Sequence, residues 1–158
     1  MAYIFDIDGT LADCSHRLHF IEPADNATFT YDGKLEFNPD WESFYKDCIY
    51  DEPIMPVIGL AKALKATRQE LIFITGRPEK YRAETTKRLC KWLEMDSVFL
   101  EMRKDGDHRP DYIVKKELYH EFVAHHFVIN GVFEDRKQCV DMWRSLGLTC
   151  YQVADGNY

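Results

Sequence analysis

Three short stretches of this 158-residue chain carry acids, a hydroxyl and a guanidinium at positions where they can act together. The first is Phe5-Asp6-Ile7-Asp8-Gly9-Thr10, which closes the apolar run Ala2–Phe5. In extended backbone, residues two apart point to one side, so Asp6 and Asp8 are aimed together. Gly9 then lets the chain turn sharply. The second stretch is Thr75-Gly76-Arg77 after Leu71–Ile74, and the third is Glu134-Asp135-Arg136 at the end of Phe127–Phe133. One alternative for Asp-x-Asp-Gly is a calcium loop, which continues with Asp or Asn at alternate positions and ends on an acidic anchor. Here Thr10-Leu11-Ala12 follows, and the calcium reading is weak. A single strand-end acid is usually just solvated. Three sets on one edge supply a nucleophile, oxygen ligands for a metal and donors for phosphoryl oxygens, which are the parts of phosphoryl transfer.

The elements that must position these groups are legible as alternating patterns. Strand-length apolar runs occur at Ala2–Phe5, Leu71–Ile74, Val98–Leu100, Phe127–Phe133 and Thr149–Val153. Between them, helical spacing links Val57 to Leu64, Tyr81 to Leu93, Leu118 to Val123 and Val140 to Leu146. Continuous apolar strands alternating with helices predict an α/β fold, a doubly wound parallel sheet covered on both faces. Ligands of such folds bind at the carboxyl ends of the strands, where the three polar sets fall. One stretch breaks the rhythm, Cys14–Asp51, and a structureless loop of that length is improbable inside a compact domain. Within it, Trp41, Phe44, Tyr45 and Cys48 follow helical spacing after Asn38-Pro39-Asp40, and Asp32-Gly33 signals a turn joining short strands in Thr28–Phe37. The expectation is one domain over 1–158, with 14–51 as a small cap inserted after the first strand.

Composition bounds the partners. Hydrophobic residues make up 46% and aromatics 14%, enough for a real core, and no apolar stretch approaches membrane-spanning length. The net charge of −7 argues against tight, extended nucleic-acid binding and leaves action on a single phosphate open. Five scattered cysteines without metal or disulfide spacing, and an amino terminus without a basic leader, predict a cytoplasmic protein. The histidines do not cluster with acids. His16 and His19 flank Arg17, which leaves a substrate role open beside the favoured surface role, and His125-His126 reads as the start of a strand, packing or surface before ligand. Met102–Arg109 reads as a polar loop at the catalytic edge, and Trp92 and Trp143 as core.

The chain closely resembles the haloacid-dehalogenase superfamily of phosphotransferases. The segments that carry the likeness are FDIDGTLAD at Phe5–Asp13, LIFITGR at Leu71–Arg77, DYIVKKELY at Asp111–Tyr119 and VFEDRKQCVDMW at Val132–Trp143. Within the superfamily it looks most like the 3′-phosphatase domain of phage polynucleotide kinases, through the carboxyl-terminal stretch from Glu134 and through Arg17, Asp111 and Lys115. The resemblance implies that Asp6 attacks phosphorus to form an aspartyl phosphate and that Asp8 is general acid and then base. It implies Mg²⁺ bound by Asp6, the Asp8 carbonyl and Asp135, with Glu134 nearby. Thr75 and Gly76 would face the phosphoryl group, Lys115 would neutralise accumulating charge, and Arg17 and Arg77 would clamp the substrate phosphate. Lys115 is followed by Lys116, so the alternative register stays open, and the fourth motif reads Glu-Asp where relatives often carry Asp-Asp.

No GxxxxGK[ST] loop occurs in the chain, so a stand-alone phosphatase is expected. The expected partner is a phosphomonoester, a nucleotide or nucleic-acid end, with polynucleotide 3′-phosphates first. A 5′-nucleotidase is the alternative, and a catalytically silent binding protein on the same fold is the third reading.

Overall fold

A computed structural model of the chain describes residues 1–23, 31–33 and 37–156. In chain order the elements are β1 (Ala2–Phe5), β2 (Ala12–Asp13), a 3-10 turn (Ser15–Phe20), α1 (Trp41–Lys46) and a second 3-10 turn (Asp47–Tyr50). They continue with β3 (Glu52–Pro53), α2 (Met55–Ala66), β4 (Glu70–Pro78), α3 (Arg82–Leu93) and β5 (Phe99–Arg103). The last four are α4 (Asp111–Leu118), β6 (Ile129–Arg136), α5 (Lys137–Ser145) and β7 (Cys150–Gly156). Five strands form one parallel sheet in the order β5-β4-β1-β6-β7, and β2 and β3 form a separate antiparallel pair. The predicted α/β doubly wound architecture is the observed one. With β1 central, the chain winds first to one side and then to the other, which puts the crevice for ligands at β1's carboxyl end.

Side-chain alternation divides the core into two layers. Phe5, Leu71 and Phe73 pack with Val57, Ile58 and Ala61 of α2 and Leu89 and Leu93 of α3. Ala2, Ile4, Ile72, Ile74 and Val132 pack with Val114 and Leu118 of α4 and Val140 and Trp143 of α5. This parity continues past the apolar residues. Asp6 shares the parity of Ile4, and Glu134 that of Val132, so both acids are directed to the layer that holds α4.

Several boundaries differ from the sequence reading. The fourth strand begins at Ile129, and His125-His126 lies in the turn before it. Phe127 belongs to the preceding helix end, where its N–H donates to the Val123 carbonyl at 3.1 Å. The spacing seen from Leu118 to Val123 is the tail of a longer element: α4 starts at Asp111 and runs on as a π-helical turn over Tyr119–Val123. β4 continues through Thr75-Gly76-Arg77-Pro78, and β5 extends past Leu100 to Arg103, into the stretch read as loop.

In the segment after β1, Asp40 caps α1, its carboxylate accepting the Ser43 N–H at 3.0 Å. Trp41, Phe44 and Tyr45 fall on α1, and Cys48 on the following 3-10 turn. Cys14, Ile21 and Phe44 form a small buried cluster flanked by Leu18, Phe20 and Tyr45. The strands expected in Thr28–Phe37 fall mostly outside the described residues.

Candidate active site

The turn behind β1 is built by Gly9, which takes a φ of +79° and donates its N–H to the Ala12 carbonyl at 2.9 Å. This leaves Asp6 and Asp8 at the sheet's carboxyl edge in two different electrostatic settings.

Asp6 faces the α4 layer, as its parity requires. Lys115 of α4 is almost fully buried, and its Nζ donates to Asp6 Oδ1 at 2.7 Å and to Glu134 Oε2 at 2.8 Å. Lys116, one position on, is exposed. Trp143 of α5 supplies a second donor to Glu134, Nε1 to Oε2 at 3.3 Å. Asp135 sits beside them and accepts from the Thr10 hydroxyl at 3.3 Å. Asp6, Glu134 and Asp135 are all buried, and each offers a carboxylate oxygen within 4.8 Å of the others. Burial raises the Asp6 carboxyl to about 7, the Glu134 charge adds to the rise, and Lys115 opposes it. Burial also raises Glu134, against the pull of Lys115. Asp6 nevertheless overcomes burial at Lys115 and holds its ammonium charged.

Asp8 lies in the opposite situation. Arg77 Nε donates to both of its carboxylate oxygens at 3.1 Å, and Arg17 Nη2 donates to Oδ1. Both arginines also grip Asp51. Arg17 makes a fork to it through Nε at 2.7 Å and Nη2 at 2.8 Å, and Arg77 Nη2 reaches it at 2.6 Å. Two acids therefore face two guanidiniums in a square that is buried except at Asp8. Burial acts to raise the Asp8 carboxyl, but Arg17 and then Arg77 outweigh it and hold the group well below the carboxylate range. Phe44 secures Arg17 further: its carbonyl accepts Nη1 at 3.1 Å, and its ring lies 4.2 Å beneath the guanidinium carbon.

The remaining predicted residues complete the wall. Thr75 is buried and accepts the Arg77 N–H at 3.2 Å. Gly76 is required by a close approach, since a Cβ there would meet Asp111 Oδ1 at 1.9 Å. Asp111 in turn accepts from Arg103 Nη2 at 2.5 Å and from Arg136 Nη1 at 3.3 Å. Arg103 also donates to the Gly76 carbonyl at 2.7 Å, tying β5 to β4 where their register shifts.

The structure thus brings Asp6, Asp8, Thr75, Gly76, Asp111 and the aromatic residues of α1 around one small pocket, with Arg136 at its rim. Arg17 and Arg77, expected to clamp a substrate phosphate, have their forks turned onto Asp8 and Asp51. His16 and His19 are exposed, as read. Asp51, Arg103 and the hydrogen-bonding role of Trp143 were not read from the sequence. Asp51 follows a 3-10 turn and no apolar run, so its sequence context carried no signal. Arg103 ends an extension of the Val98–Leu100 run that Glu101 obscured.

The family model described as the polynucleotide kinase PNKP phosphatase domain matches residues 25–158. A protein of Autographa californica nuclear polyhedrosis virus, named as a candidate bifunctional polynucleotide kinase/RNA ligase, is 25% identical over 146 residues, covering 92% of this chain and 18% of the relative. A solved Pnkp1/Rnl/Hen1 complex contains a chain that matches with a TM-score of 0.75 and 31% identity, over 99% of this chain and 47% of that one. The class C acid phosphatase of Bacillus anthracis shares the fold, with a TM-score of 0.61 at 15% identity over 99% of this chain and 67% of that one. The chain therefore spans about half of the Pnkp1-complex chain and under a fifth of the viral relative. The chain belongs to the family of polynucleotide kinase PNKP phosphatase domains.

Proposed function

We propose that the chain is a Mg²⁺-dependent phosphomonoesterase that acts through an aspartyl phosphate, with polynucleotide 3′-phosphate ends as its substrates. The observation that carries the reading is the placement of buried Asp6 against Lys115, at a sheet edge that also holds Asp8, Glu134 and Asp135. The donor set fits Mg²⁺, because three buried carboxylates converge, two of them on one lysine, and hard oxygen ligands suit that cation. Bound there, the ion would lower the Asp6 pKa and offset charge on the phosphoryl oxygens.

The chain's own residues supply the rest. An oxygen of Asp6 attacks phosphorus, and the bond from phosphorus to the 3′ oxygen breaks. The Asp8 carboxyl gives its proton to that oxygen and later takes one from water. That water attacks phosphorus, the bond to Asp6 breaks, and inorganic phosphate leaves. Asp8 must first become protonated, which its two arginines oppose. An incoming phosphate dianion competes for the same guanidiniums, and loosening their grip raises the Asp8 pKa as substrate arrives. Lys115 stabilises charge that builds on Asp6 and the phosphoryl group. The segment 14–51 acts as a cap in this reading, because it delivers Arg17, Phe44 and Asp51 to the site.

The family resemblance supports nucleic-acid ends, and the net charge of −7 supports short substrates. No helix among the described residues is long and apolar enough to cross a membrane. The five free cysteines support a cytoplasmic setting. The test is kcat/KM, with and without Mg²⁺, for 3′-phosphorylated oligonucleotides, 3′- and 5′-mononucleotides and sugar phosphates. We expect 3′-phosphorylated ends to rank first. Preference for 5′-mononucleotides would establish the 5′-nucleotidase alternative, and preference for sugar phosphates would remove the nucleotide reading. No turnover of any phosphomonoester would leave a binding protein.

A further inference from the structure

Beside the catalytic pocket lies a groove of about 440 Å³, between α1 on one side and the 103–111 segment on the other. Trp41, Tyr45, Asp111 and Arg136 line both spaces, so the groove leads directly from the Asp6 edge. Its size falls within the ~300–1,000 Å³ of small-ligand clefts, room for one nucleoside and not for a strand. Trp41 is 42% exposed and rests on Tyr45, ring centroids 5.9 Å apart and tilted by 28°. An indole braced on one side and open on another is a stacking platform, in contrast to Phe44, which is buried under Arg17.

The cations of the groove are matched by its acids. Lys80 pairs with Glu42 at 2.5 Å, Arg109 with Asp107 at 2.8 Å, and Arg103 with Asp111 at 2.5 Å. Arg136 reaches Asp111 as well, and Asp105 accepts the Lys80 backbone N–H at 3.0 Å. Among the described residues the lining contains four acids and four cations, no surplus of charge for a chain of phosphates.

We infer that this groove seats the terminal nucleoside of the leaving group, with its base on Trp41, and that recognition ends after that one nucleotide. The inference rests on the phosphatase reading above. Its test is kcat/KM for ribose 3-phosphate, a nucleoside 3′-phosphate, and the 3′-phosphorylated dinucleotide and hexanucleotide. The base should raise kcat/KM about tenfold, as base stacking on an aromatic does. Further nucleotides should add less than about threefold. Trp41→Ala should erase most of the gain due to the base, chiefly through KM, and Trp41→Phe should keep much of it. A gain that grows with each nucleotide, or a Trp41→Ala loss equal for ribose 3-phosphate and the nucleoside 3′-phosphate, would overturn the inference.

A binding measurement separates this failure from failure of the phosphatase reading. In Asp6→Asn protein, a nucleoside 3′-phosphate should quench tryptophan fluorescence, and adding Trp41→Phe should abolish the quench. Quenching by Trp41 without turnover of any phosphomonoester by the native chain would sink the phosphatase and keep the subsite. No quench attributable to Trp41 would sink the subsite.

Discussion

Asp6 and Asp8 are two residues apart, and their surroundings are opposite. Around Asp6, three buried acids crowd one lysine, and burial pushes the Asp6 carboxyl up to about 7. Around Asp8, two acids meet two arginines, and the carboxyl is held far down. The first centre sets Asp6 and Glu134 on one ammonium with Asp135 beside them, oxygen donors that suit a divalent cation. The second is balanced, so an anion can enter only by taking guanidiniums from Asp8 or Asp51. Under the proposed function, one strand end thus sets a cation site and an anion site two residues apart. Buried charge is tolerated only when paired, and the two centres are paired to different degrees.

Breaking the Asp6 centre should have the largest effect. Asp6→Asn keeps the shape but removes a nucleophile and an anionic ligand, so turnover should fall by at least about 10³-fold with the fold intact by circular dichroism. Next is Lys115→Ala, for which steady-state kinetics should show a loss of about 10²-fold or more. Lys116→Ala, on the exposed neighbour, should stay within about twofold. The reverse ranking would move the motif by one residue.

The Asp8 centre is tested through Asp51, which touches neither the pocket nor the metal-type acids yet aims both arginines. Asp51→Asn should raise KM about tenfold while kcat changes less, because arginines freed from a fixed partner hold phosphate in a poorer geometry. Asp51→Glu should restore part of the loss. An unchanged KM together with loss of soluble protein would mark Asp51 as a structural residue alone.

A smaller effect separates the centres by pH. Without divalent cation, Asp6 takes up its proton near pH 7 in the folded chain against 3.8 for the ordinary group. The folded state therefore binds more protons in that interval, and Asp6 costs stability progressively as pH rises through it. The Tm of Asp6→Asn relative to native protein should increase from about pH 4 to about pH 7 and then level off. Mg²⁺ should shrink the difference. A flat difference across that range would contradict the raised Asp6 carboxyl.

How far the sequence showed these centres depends on what each residue rests on. Asp6, Thr75 and Glu134 sit at the ends of apolar runs, and strand parity alone directs Asp6 and Glu134 toward α4. The sheet and its winding were legible for the same reason, since alternating buried strands and helices leave few arrangements. Strand ends were less so: Thr75–Pro78 and Glu101–Arg103 stay extended because they pair with neighbours, which local polarity conceals. Asp51 was invisible because its role comes from two arginines, one 34 residues before it and the other 26 after it. The double use of Trp143, packing and donating to Glu134, reads from sequence as packing only.

The attack by Asp6 is tested most directly by trapping. Asp8→Asn protein, mixed with Mg²⁺ and a phosphoryl-labelled substrate that carries an activated leaving group, is quenched in acid and digested, and the labelled peptide is sequenced. The account predicts a hydroxylamine-labile label on Asp6 that is absent from the Asp6→Asn variant. Label on any other residue, or rapid phosphate release with no labelled protein at any time, would contradict it.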